Sequence, residues 1–223
     1  MTMKKILLFD IHGTLIDSDD FLKNYEAQLT KFASEYFNRK IVVNFDGYHG
    51  FTERYNLKNI FFKQGLKISE SQLDDFFAYS GKKYISKKGS IKLIPYVLES
   101  LEKLKGKYYL GLVTGSPKLT ALKCLEYAGI ENYFLFGVFG DESYERSKLV
   151  EKAIENFAKI EKSKFDRKNI YVIGDTINDI EAGKKAGVKT IAVLTGSGTK
   201  RELEKLNPDF IINNLSELEK TIN

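Results

Sequence analysis

One cysteine in 223 residues cannot close an internal disulfide, so the fold must rest on its apolar core. In the frame ALKCLEYAG, Cys124 falls among the apolar positions of a helix and reads as buried filler. Proline is scarce, at 3 residues, in a composition that is 43% hydrophobic and 29% charged, which excludes a disordered chain. No apolar run approaches the ~20 residues a membrane span requires. The opening MTMKKILLFD has a basic pair and an apolar stretch, but the stretch is too short for a signal peptide and runs straight into an acid. It reads as a first core strand, and the chain as a cytoplasmic protein with no membrane partner. Internal repeats and low-complexity segments are also missing, and the length suits one large domain or a core with a smaller insert.

A formal net charge of +5 and a pI near 9.0 raise the question of nucleic acid. The Lys and Arg are interleaved with Glu and Asp along helices, however, which is the pattern of a solvated surface, and no nucleic-acid partner is expected. A mildly positive field also helps an anionic ligand arrive.

Lys5 to Phe9 (KILLF) is a short apolar run ending at Asp10, and the Gly13-Thr14 pair that follows forces a loop. From Asp17 to about Lys88 the pattern becomes helical. FLKNYEAQLTKFASEYF, LKNIFFKQGL and ESQLDDFFAYSGKKYI carry apolar residues three and four apart, while IVVNFDGYHGFTERY, with Gly47 and Gly50, reads as a loop or reversal. After Gly89 strands and helices alternate: helix 95–104, strand 108–114, helix 118–128, strand 136–140, helix 148–160, strand 169–174, helix 178–186, strand 190–194, a short helix near Arg201, strand DFII and a last helix from Leu215. Such alternation implies a parallel sheet covered on both faces, a doubly wound, Rossmann-like α/β core. Residues 1–16 and 89–223 form that core in this reading. Residues 17–88 are a helical insertion between its first two strands, expected above the site as a cap.

Ligands of an open parallel sheet bind at the carboxyl ends of the strands. Strand one ends Asp10-Ile11-His12-Gly13-Thr14, strand two ends Thr114-Gly115-Ser116, the turn after Gly140 carries Arg146 and Lys148, and NIYVIG ends at Asp175 with Asp179 four residues on. Any one of these is ordinarily a helix cap. Together they supply a carboxylate nucleophile, a hydroxyl and amide anion cradle, a cation and a carboxylate pair for a hard metal.

LLFDIHGTLIDSD resembles the first motif of the haloacid dehalogenase-like superfamily, LVTGS its second, and VIGDTINDIEAGKKAGVKTIAV the GDxxxD fourth motif. The third is the weakest match, with FGDESYERSKLVEKAI offering Arg146 or Lys148 where members place a Lys. The helical insert sits where members with a C1 cap carry theirs. The resemblance implies a magnesium-dependent phosphohydrolase acting on a small phosphorylated metabolite. Asp10 would form an aspartyl phosphate. Mg²⁺ would be held by Asp10, Asp175, the backbone carbonyl of His12 and Asp179 as ligand or close neighbour. Thr114, Gly115, Ser116 and Arg146 or Lys148 would hold the phosphoryl oxygens.

The chain departs from the phosphatase pattern at His12, where members carry a second Asp as acid/base. Two residues along an extended segment place both side chains on one side, so His12 occupies that location. It reads as a working acid/base, as a mark of slowed or altered chemistry, or as a sign of lost catalysis. The competing functions are a phosphomutase of the β-phosphoglucomutase type and a non-catalytic phosphate-ester-binding protein. His49 and Arg54, in GYHGFTER, lie where C1 proteins place residues that reach down to substrate, although a loop histidine without a role is the plainer reading.

Overall fold

The computed structural model describes residues 4–17, 19–84, 91–161 and 165–223. Six strands form one sheet in the order β3-β2-β1-β4-β5-β6, and every pairing is parallel. They are β1 (Ile6–Phe9), β2 (Tyr109–Val113), β3 (Phe136–Val138), β4 (Ile170–Gly174), β5 (Lys189–Val193) and β6 (Phe210–Ile212). β1 is central and buried throughout. Its alternate residues face opposite layers: Leu7 and Phe9 join one apolar cluster, Ile6 and Leu8 the other. This two-sided burial is why β1 and β4 read as continuous apolar runs.

Helices α1 (Asp19–Tyr36), α2 (Glu53–Lys63) and α3 (Glu70–Lys83) lie between β1 and β2 in the chain. The remaining helices are α4 (Val97–Leu104), α5 (Lys118–Ala128), α6 (Arg146–Ile160), α7 (Ile177–Lys185), α8 (Lys200–Lys205) and α9 (Leu218–Ile222). α1 buries Phe21, Tyr25, Leu29, Phe32 and Ala33, an i, i+4, i+8, i+11, i+12 stripe. The cluster on the Leu7 and Phe9 face of the sheet continues through Leu29, Leu57, Phe61 and Phe76 into the interior of α1, α2 and α3. The expected boundary at residues 88 and 89 lies outside the described residues.

Several element ends differ from the sequence reading for local reasons. The helix expected from Pro95 starts at Val97, because Tyr96 takes a left-handed conformation with φ 70° ahead of it. α2 starts at Glu53, inside the stretch read as loop, because the Thr52 side chain caps it by accepting from the Tyr55 amide. β3 ends at Val138, short of Gly140. The last helix opens as a 3₁₀ turn over Leu215–Glu217 before α9. α6 begins at Arg146 and not at Lys148, which bears directly on the site.

Candidate active site

β1 and β4 are register neighbours with Phe9 opposite Ile173, so the residues just past each strand, Asp10 and Asp175, emerge side by side. Asp179 joins them from the first turn of α7. There it completes a capping box with Thr176, its Oδ2 accepting from the Thr176 amide at 3.0 Å and hydroxyl at 2.6 Å. Ligand-type oxygens of Asp10, Asp175 and Asp179 all lie within 4.8 Å of one another, and all three residues are buried.

Asp175 is held by the Thr14 hydroxyl at 3.2 Å and the Ser197 amide at 2.9 Å. Gly13 allows this approach: it has φ 83°, and a Cβ there would sit 2.4 Å from the Asp175 carboxylate. Burial, then the neighbouring charges of Asp179 and Asp10, raise the Asp175 pKa above the ordinary carboxylate range. Asp179 is also raised, by burial against the opposing pull of Arg146 and with the charge of Asp10 adding to it.

Arg146, at the start of α6 and buried, supplies the countercharge. Its Nη2 lies 2.6 Å from Asp10 Oδ1 and 2.5 Å from Asp179 Oδ1, and its Nη1 donates to the Gly50 carbonyl at 2.9 Å. Burial opposes the guanidinium charge, but Asp179 and Asp10 outweigh it and hold the pKa above its ordinary value. Lys148, two residues along the helix, is exposed and lies outside the cavity lining. One guanidinium cannot balance three buried carboxylates, and a divalent cation among them would relieve the repulsion. The donor set is oxygen only, which suits a hard ion. The His12 ring is not part of this group.

Thr114 is buried, and its Oγ1 accepts from the Ser116 amide at 3.3 Å. Gly115 and Ser116 line the same cavity. The Ser116 hydroxyl is 3.2 Å from His12 Nδ1, while His12 Nε2 is buried without a hydrogen-bond partner. The His12 ring stacks on Phe21 at 4.1 Å, and Phe21 on Tyr25 at 5.2 Å. Burial lowers the His12 pKa to about 4, with Asp10 opposing and Arg146 adding to the shift, so the imidazole is neutral at neutral pH.

The cavity, about 210 Å³, has the strand ends as floor and residues of α1, α2 and the intervening loop as walls. The segment 49–54 is fastened to the floor at several points: Asn178 Nδ2 to the His49 carbonyl, 3.0 Å; the Glu53 amide to the Gly115 carbonyl, 2.8 Å; and the Arg54 amide to the Gly140 carbonyl, 3.1 Å. His49 is exposed and lines the cavity. Arg54 instead turns away, to the Asp141 carbonyl, Glu70 and Asp74. Sequence reasoning placed Thr14 at the strand end without foreseeing its bond to Asp175, and missed Thr176 and Ser197 around the carboxylates and Tyr25, Glu53 and Asn56 in the wall. Ser197 follows β5, and applying the strand-end rule to that strand would have found it; the wall residues left no such signal.

The fold and site together define a doubly wound α/β protein with a buried carboxylate triad at the carboxyl ends of its six parallel strands. The haloacid dehalogenase-like hydrolase family model matches residues 7–193, and the chain belongs to that family. A phosphoglycolate phosphatase of Aquifex aeolicus is 30% identical, the match covering 97% of this chain and 95% of the relative. One from Vibrio parahaemolyticus is 27% identical over 96% and 94% of the two chains. The solved structure of a haloacid dehalogenase-like hydrolase family protein from Streptococcus pneumoniae shares the fold, with TM-score 0.69, 19% identity and full coverage of both chains. Among the described residues no helix is long and apolar enough to cross a membrane.

Proposed function

We propose that the protein is a magnesium-dependent phosphatase that hydrolyses a small phosphomonoester through an aspartyl phosphate on Asp10, beneath a helical cap of residues 17–88. The observation that carries this reading is the convergence of Asp10, Asp175 and Asp179 within 4.8 Å, with Arg146 ion-paired to two of them.

Asp10, Asp175 and Asp179, with the His12 carbonyl, would hold Mg²⁺, which when bound offsets the charge repulsion between a carboxylate and a phosphoryl group. Asp10 attacks phosphorus, a new Oδ–P bond forms, and the bond from phosphorus to the leaving oxygen breaks. Arg146, the Thr114 hydroxyl and the loop Gly115-Ser116 steady the phosphoryl oxygens. The departing oxygen takes a proton in the first step and water loses one in the second, as it attacks phosphorus, releases phosphate and restores Asp10. His12 stands in the acid/base position: its neutral imidazole can take the proton from water in the second step, and the departing oxygen of the first step draws its proton from solvent. The curated relatives are named as phosphoglycolate phosphatases and pyrophosphatases, which favours hydrolysis over phosphoryl transfer within a sugar or mere binding.

The test is turnover of p-nitrophenyl phosphate with Mg²⁺. Activity should disappear with a chelator and fall by several orders of magnitude in Asp10→Asn, where an amide replaces the nucleophile. Chelator-insensitive turnover would sink the reading.

A further inference from the structure

Unlike the floor, the wall of the cavity has no place in the chemistry described above. It is nevertheless polar at defined points. Glu53 is placed by its own backbone, whose amide bonds the Gly115 carbonyl at 2.8 Å, so its side chain starts beside the loop that would hold phosphate. Asn56 is one turn on along α2, and residues three apart share a helix face. From α1, the Tyr25 hydroxyl donates to Glu53 Oε1 at 2.7 Å.

The Asn56 side-chain oxygen is buried and has no hydrogen-bond partner, as is the Tyr48 hydroxyl, and Asn56 is only 6% exposed. Its amide nitrogen reaches the Tyr48 carbonyl at 3.4 Å, which leaves the oxygen as the acceptor on offer. Buried polar atoms are ordinarily paired. Both atoms belong to residues that line the same cavity wall, where a ligand's hydroxyl groups would complete the set.

The wall contributes no positive charge from lysine or arginine. Among the described residues that line the cavity, the one guanidinium is Arg146, already engaged by Asp10 and Asp179. Arg54 is beside Glu53 in sequence but is bonded elsewhere. A second anionic group on the ligand would therefore be held there without a lysine or arginine countercharge. The rings of Phe21 and Tyr25 give the same wall an apolar surface against which carbon–hydrogen faces can lie.

We propose that Glu53, Asn56, Tyr25 and Tyr48 form a leaving-group subsite that selects monoesters of a neutral, polyhydroxylated carbon skeleton, of the sugar or polyol kind, over substrates whose leaving group is itself anionic; this rests on the phosphatase reading above. Burial raises the Glu53 pKa to about 8, against the Tyr25 hydrogen bond and with Asp141 adding. At neutral pH the side chain is then a neutral acid, able to donate to one hydroxyl and accept from another.

The full-length enzyme with Mg²⁺ is assayed for kcat/KM on p-nitrophenyl phosphate, glycerol 3-phosphate, glucose 6-phosphate, phosphoglycolate and pyrophosphate. At least one of the polyol and sugar esters should exceed phosphoglycolate and pyrophosphate by about tenfold or more, since a site built to bond hydroxyls rejects ligands that lack them. Equal or higher kcat/KM on phosphoglycolate or pyrophosphate overturns the proposal. In Glu53→Gln and Asn56→Ala the ratio of sugar-ester to aryl-ester kcat/KM should fall by about tenfold, and a ratio held at the wild-type value in both folded variants overturns it. The wild-type panel decides alone if the buried variants do not fold.

A binding arm separates this inference from the reading it rests on. In Asp10→Asn with Mg²⁺, glucose 6-phosphate or glycerol 3-phosphate should raise Tm more than phosphoglycolate does. That order without any aryl phosphate turnover in wild type sinks the hydrolysis and keeps the subsite. The reverse order with aryl phosphate turnover sinks the subsite alone.

Discussion

Asp10 and Asp175 meet because the chain places one acid directly after each of two strands that pair in register, and the sequence shows this plainly in LLFD and VIGD. The choice between Arg146 and Lys148 was not readable there, because it depends on where α6 begins. With Arg146 as its first residue, the guanidinium turns under the strand ends and Lys148 faces outward. His12 was legible as a departure, but its surroundings were not: the stack on Phe21 and the contact with Ser116 come from an insert helix and from the second strand end. A neutral imidazole accepts a proton more readily than it donates one. If His12 is the acid/base, His12→Ala should lower turnover by about 10²- to 10⁴-fold. His12→Asp should stay active and gain most on alkyl esters, whose leaving groups need protonation more than an aryl oxide does. Rates and pH profiles of His12→Ala matching those of wild type would remove His12 from the mechanism.

At the scale of the element, α2 adds Glu53 and Asn56 to a cavity wall begun by α1 and the loop between them, and its start was the least legible feature of the segment between β1 and β2. The glycines at 47 and 50 mark a loop, but the Thr52 cap that ends it gives no cue of apolar periodicity. Thr52 is buried, accepts from the Tyr55 amide at 3.3 Å and donates to the Tyr144 carbonyl at 3.1 Å, so one hydroxyl both starts the helix and fastens it to the core. Thr52→Ala should cost about 1–2 kcal/mol of stability, a fall in Tm of a few degrees for a chain of this size. It should also raise KM, because the fastened segment 49–54 loosens over the floor. Thr52→Ser should retain most of both. Thermal denaturation and steady-state kinetics check the pair, and an unchanged Tm in Thr52→Ala would count against the cap.

For the whole molecule, the parallel sheet and the helices between its first two strands were legible because two-sided burial writes continuous apolar strands and the helices write their own periodicity. The join of the insert to the sheet was less so, since one apolar cluster runs from Leu7 and Phe9 through Leu57 and Phe76, and packing between distant segments leaves no local pattern. Glu53 was invisible for that reason: it reads as an ordinary helix-start acid, yet it is buried and its pKa rises from 4.5 to about 8. The folded state therefore holds a proton that the unfolded state has released between these values. This group's contribution to stability is full below pH 4.5 and is lost as pH rises through about 8, at up to about 1.4 kcal/mol per pH unit. Glu53→Gln should flatten that decline, so that its stability relative to wild type improves with pH across the window; denaturant melts at several pH values check this, and parallel curves would contradict it. The central claim, that Asp10 takes the phosphoryl group, is tested most directly by acid-quenching the enzyme during turnover with Mg²⁺ and locating the adduct by peptide mass spectrometry. The account predicts a phosphorylated peptide containing Asp10 in wild type and none in Asp10→Asn. A phosphoryl group on any other residue, or undiminished turnover by Asp10→Asn, would contradict it.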